Sequence, residues 1–118
     1  MDERLEKALE FSKYRIGLFN RKEDLKIKFN NMLVHAHNGG IFKVTQELIV
    51  FVKFLVDSNN DRVVLIDENG NPIEVNELQD FLDDITSKYF EASNYYHAEY
   101  SKLRSARSVK SIYEFVDE

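Results

Sequence analysis

From Asn76 to about Ser108 the chain runs without glycine or proline, and its apolar residues recur three or four positions apart. Leu78, Phe81, Leu82, Ile85, Tyr89, Ala92, Tyr96, Leu103 and Ala106 form the stripe that an amphipathic helix buries against another surface. The spacing predicts one helix over about 77–108, with Asn76 as its cap and Gln79 at the reciprocal capping-box position. At 1.5 Å per residue a helix of about 30 residues is ~45 Å long, more than a small domain needs, so part of its stripe should meet a second long helix or another chain.

Such a helix limits what the rest of the chain can be. With 118 residues the expectation is a single domain over 1–118, without room for a separate catalytic module. The composition is 43% hydrophobic and 31% charged, which belongs to foldable chains rather than disordered ones. There is no cysteine, so neither disulfides nor thiolate metal sites can form, and a reducing cytoplasm is the natural compartment. The opening MDERLEKALE interleaves acids and bases and does not read as a signal peptide. The most apolar run, Leu48 to Val56, is far shorter than the ~20 residues a spanning helix requires, which favours core packing over a role at a membrane surface.

The other elements follow from local signals. Residues of about 2–37 read as a first long helix carrying Leu5, Leu9, Ile16, Phe19, Ile27, Leu33 and Val34, with Gly17 and the polar run Arg21 to Asp24 as points where it could kink. Asn38-Gly39-Gly40 should terminate it. IFKV then reads as a short strand, and Thr45 as the N-cap of a central element over Leu48 to Val56, helix being favoured over strand. RVVLID and PIEV, joined by ENGN, read as a β-hairpin because Asn69-Gly70 accepts positive φ. The resulting fold class is mainly α with a small β-hairpin (α+β). Two long antiparallel helices would form a coiled-coil-like rod, with the strand, short helix and hairpin of about 41–75 at one end and a flexible tail over 109–118.

Charge is split along the last helix. Asp67 to Glu91 holds eight acids against Lys88, whereas Lys102, Arg104, Arg107 and Lys110 follow one another without an acid. Each group suits its end of the helix dipole. The net charge of −5 disfavours generic nucleic-acid binding. The basic run beside Tyr100 and Tyr113 nevertheless defines an alternative nucleic-acid-binding set: Lys102, Arg104, Arg107 and Lys110. Tyr89, Tyr95, Tyr96 and Tyr100 occupy more than one helical face, and tyrosine suits contacts that keep a polar rim, so Tyr95, Tyr96, Tyr100, Arg104 and Arg107 are the candidate partner-binding residues. Long helices also leave room for a homo-oligomer.

Catalytic and metal sites are not predicted. His35 and His37, two apart on a helix, would point to different faces. Asp83-Asp84 with Asp80 and Glu77 reads as a solvated acidic face near a helix start. No phosphate-binding loop, zinc-protease motif or activated nucleophile is present, so the expectation is a protein that is not an enzyme and uses no cofactor or small-molecule substrate.

NGGIFKVTQELIVFV, VVLIDENGNPIEVNELQDFLDDITSKYF and YHAEYSKLRSARSVKSIYE together resemble the head vertex assembly chaperone family of T4-like bacteriophages, including those of marine cyanobacteria. The resemblance covers the chain from Asn38 onward. It implies a non-enzymatic factor acting with portal protein, or at its membrane-associated assembly site, at the start of prohead assembly, and not retained in the virion. It carries no catalytic residue to this sequence. The chain departs from it in lacking a membrane-spanning segment, so attachment at the inner membrane would be peripheral or through a partner, with the host cytoplasm as the site of action. The competing reading is a replisome or transcription accessory module using the basic residues. Hydrolysis at the acidic cluster is a distant third.

Overall fold

The computed structural model describes residues 2–105. Its elements are α1 (Glu3–Met32), β1 (Val34–His37), β2 (Gly40–Lys43), α2 (Gln46–Asp57), β3 (Val63–Ile66), β4 (Pro72–Val75) and α3 (Leu78–Ser105). Among the described residues the protein is thus mainly helical, with three helices and two small antiparallel hairpins. It divides into two compact units, one of residues 29–94 and the other of 1–28 with 95–118. Positions 106–108 of the expected last helix, and the expected tail over 109–118, lie outside the described residues.

Residues 33–40 depart from the helix expected there. The first helix does not continue to 37; it closes at Met32, where the Leu33 N–H donates to the Asn30 carbonyl at 3.2 Å. Val34 to His37 then pair with Gly40 to Lys43. Asn38 and Gly39 both have positive φ, 49° and 82°, as a two-residue hairpin turn of the primed type requires. Asn-Gly therefore makes a hairpin here rather than a helix stop. The polar tip folds back because Asn38 Nδ2 also donates to the Glu74 carbonyl at 3.0 Å. Gly17 and the run Arg21 to Asp24 leave α1 unbroken.

The second hairpin lies where its turn chemistry placed it. Asp67 N–H donates to the Asn71 carbonyl at 2.9 Å and Gly70, at φ 79°, donates to the Asp67 carbonyl at 3.0 Å. The Asp67 carboxylate then binds three further backbone N–H groups. Oδ1 accepts from Asn69 at 3.0 Å and Asn71 at 2.8 Å, and Oδ2 accepts from Ile41 of the first hairpin at 3.0 Å. Glu68 N–H donates to the Ile41 carbonyl at 2.8 Å, so the two hairpins are joined in both directions. Asp67 is only 7% exposed, and its bonds are those a buried carboxylate needs.

Between the hairpins, Thr45 caps α2 with its Oγ1 accepting from Leu48 N–H at 3.1 Å, and the central element is a helix as favoured. The expected capping box of α3 does not form. Gln79 Nε2 turns forward to Asp83 Oδ1 at 3.0 Å, and the Asp61 carbonyl accepts from Leu78 N–H at 3.1 Å. The apolar stripe of α3 is buried as the spacing required: Leu78, Phe81, Leu82, Ile85 and Ala92 join Leu33, Phe42, Val44, Val52, Leu65 and Val75 in the core of the 29–94 unit. Phe81 is its centre, with the rings of His37 and Phe42 at 5.2 Å and His35 at 5.5 Å, each edge to face.

Gly40 sits where the hairpins meet. A Cβ there would lie 2.5 Å from Ile73 Cγ1 and 2.8 Å from Ile73 Cδ1. Gly40→Ala should destabilise the protein by about 1–3 kcal/mol through overpacking. In urea denaturation Ile73→Ala, which removes both atoms, should make the added Gly40→Ala change smaller than it is in the wild-type background. Additive effects would show that the close approach is not what makes the position require glycine.

Candidate functional site

Of the residues selected from the sequence, Tyr95, Tyr96, Tyr100, Lys102 and Arg104 fall in the unit of 1–28 and 95–118. Tyr96 and Tyr100 stack with ring centroids 6.1 Å apart and an interplanar angle of 11°. Lys22 Nζ lies 6.0 Å from the Tyr100 ring and Lys28 Nζ 5.4 Å from the Tyr95 ring. Tyr95, Glu99 and Leu103 line a cleft of ≈ 510 Å³ with Arg21, Asp24, Leu25 and Lys28. The three tyrosines are half-buried. Part of each ring therefore serves this unit itself, and the cations over the rings come from α1, which no spacing within α3 could have revealed.

The basic set is not a continuous array. Lys102 is paired with Glu99 at 3.0 Å, and Arg104 is exposed on the last turn of α3. Arg107 and Lys110 lie outside the described residues. Lys28 is held above the usual lysine range by its hydrogen bond to Tyr95, with smaller help from Glu99. Cation and carboxylate are thus interleaved on this surface, an arrangement suited to a mixed protein surface more than to a phosphate backbone.

Helix α2 is less buried than its composition predicts. Leu48 to Val56 was expected in the core, but only Val52 is fully buried, with Leu48, Ile49, Leu55 and Val56 partly so. Val50, Phe51 and Phe54 are 67%, 52% and 63% exposed and line a shallow open groove with Gln46 and Glu47. A helix apolar over most of its circumference has more apolar face than a two-layer packing can cover. That signal is present in the apolar run, which only Lys53 interrupts; it marks an outward face once the run is known to be helical.

The histidines also move. On strand β1 residues two apart share a face, so His35 and His37 stack at 6.0 Å instead of diverging as they would on a helix. His35 is buried, and neither Nδ1 nor Nε2 has a hydrogen-bond partner. Among the described residues no three His, Cys, Asp or Glu side chains gather as a metal site. Of the acidic cluster, Asp83 accepts from Gln79, while Glu77 is pushed up by its hydrogen bond to Asp80.

No protein-family model, curated protein or solved structure matches the chain. No helix among the described residues is long and apolar enough to cross a membrane.

His35 and Asp67, the buried titratable groups among the described residues, couple the fold to pH. Burial pushes the His35 imidazole below its ordinary value of 6.5, reinforced by Lys88 and His37 and opposed by Asp84. Its folded state binds fewer protons than its unfolded state, so stability is complete above pH 6.5 and falls as pH drops from there through the folded value. Asp67 is held below its ordinary 3.8 by the N–H groups of Asn71, Ile41 and Asn69, so its contribution is present above that value and lost as pH falls through the folded one. Urea midpoints of His35→Leu should therefore vary less than wild type between pH 7.5 and 5.5. Asp67→Asn should be less stable at neutral pH and lose less on further acidification below 3.8. Parallel wild-type and His35→Leu profiles would exclude His35 as the source of the first phase.

Proposed function

We propose that this chain is a non-enzymatic assembly factor that works through protein–protein contacts, with phage portal protein as its partner at the start of head assembly. The observation that supports it best is the outward face of α2: Val50, Phe51 and Phe54 are each more than half exposed on a helix whose opposite side is anchored in the core by Val52. Large apolar groups held open on a supported helix are what a docking partner covers. The resemblance of residues 38–114 to the phage chaperone family supplies the class of partner.

Within the unit of 1–28 and 95–118 we read the pairing of α1 with α3 as antiparallel and coiled-coil-like. From Lys22 to Lys28 the contacts pass from Tyr100 back to Tyr95, which is the sense an antiparallel pair produces. Tyr96, Tyr100 and Arg104 form a second, polar-rimmed contact area.

The test is surface-immobilised binding of the full chain to purified T4-like portal oligomer. Phe51→Asp with Phe54→Asp should weaken binding about 30-fold or more, the scale of losing an aromatic hot spot, while melting temperature changes little because both side chains face outward. Tyr96→Ala with Arg104→Ala should weaken it less. No portal binding, together with steeply salt-dependent binding to a DNA oligonucleotide, would move the function to the basic residues.

A further inference from the structure

Helix α1 carries apolar residues on two opposite sides. One series, Tyr14, Leu18, Arg21, Leu25 and Lys28, is spaced 4-3-4-3 and is half-buried or buried except for Lys28, which lies against Tyr95. Leu25 and Lys28 line the same cleft as Tyr95 and Leu103. The other series is Leu5, Leu9, Ser12, Ile16 and Phe19, again spaced 4-3-4-3. It lies roughly 180° away at 100° per residue, so the helix that covers the first cannot reach the second. Its apolar members are 50%, 46%, 60% and 61% exposed. The 4-3 spacing is that of the a and d positions of a coiled coil.

We infer that this outer seam of α1 pairs with the same seam of a second copy, antiparallel and in the register that sets Leu5 against Ile16 of the other copy. The flanking charges select this arrangement. A parallel pair would set Glu23 against Glu23 and Lys26 against Lys26. An antiparallel pair shifted by one heptad, with Leu9 against Phe19, would bring Lys13 close to Lys13 and Arg15 close to Arg15. With Leu5 opposite Ile16 and Leu9 opposite Ser12, Glu6 faces Lys13, and two-fold symmetry makes that contact twice. Both charges are open for it: among the described residues neither Glu6 nor Lys13 takes part in an ion pair. Ser12 facing Leu9 keeps the centre of the seam thin, which fits a reversible dimer rather than an obligate one.

This pairing uses a surface separate from the α2 face proposed for the partner, so either can fail alone. Sedimentation velocity on the full chain should show a monomer–dimer equilibrium in the range of tens to hundreds of micromolar, the weak class expected of an interface below about 1,200 Å². Ile16→Glu should raise the dissociation constant at least about tenfold by placing a charge in the seam. Glu6→Lys should also weaken the dimer, and Glu6→Lys with Lys13→Glu should restore it. Circular dichroism and melting temperature should stay unchanged in all three because the residues face outward.

The absence of native cysteine gives an orientation test. Mixed Leu5→Cys and Ile16→Cys chains should form a heterodisulfide on oxidation, whereas each alone should cross-link poorly. A chain that is monomeric at all concentrations overturns the proposal. So does efficient cross-linking of Leu5→Cys to itself, which indicates a parallel pair. Monomeric chains that bind anionic lipid vesicles through Ile16 would overturn it in favour of a membrane surface as the occupant.

Discussion

The carboxylate of Asp67 is the constraint on which the arrangement of the 29–94 unit depends. It accepts from two N–H groups of its own loop and one of the other hairpin, so it both shapes the second turn and ties the two hairpins together. Each hairpin has only two strands, and such a hairpin is marginal in water by itself. Joined at Asp67 and backed by α3, both become parts of one packed layer around Phe81. The close approach of Gly40 to Ile73 follows from the same junction.

The long helices divide their labour along their length. In one unit α3 provides a buried stripe, while in the other its tyrosines meet lysines of α1 and leave an open cleft lined by charged side chains. Much of the apolar excess among the described residues is carried on exposed faces: Val50, Phe51 and Phe54 on α2, and Leu5, Leu9, Ile16 and Phe19 on α1. Side chains of this kind weaken solubility unless something covers them, which is the physical sense of reading the protein as an assembly factor.

Legibility in the sequence varied with the kind of signal. The stripe of α3, the Thr45 cap and the ENGN hairpin rest on interactions within a few residues, and each formed where local chemistry placed it. Residues 34–37 read as helix because VHAH has too few residues to display a period of two against the helical pattern preceding it. Only its pairing with Gly40–Lys43 makes it a strand. The histidines change with the element, since two-residue spacing diverges on a helix and converges on a strand.

By itself the sequence determined the periodic elements and the turns, because helical stripes, caps and positive-φ residues act over a few neighbours. It also determined that the apolar surface exceeds what one small core takes in. Tertiary structure alone decided that Asp67 reaches Ile41, that Lys22 and Lys28 lie over the α3 tyrosines, and that the apolar side chains on the outer sides of α1 and α2 are about half exposed. Those outcomes depend on which distant residue arrives at a given place, and hydrogen bonds or exposure set across 26 or more positions leave no mark in local spacing.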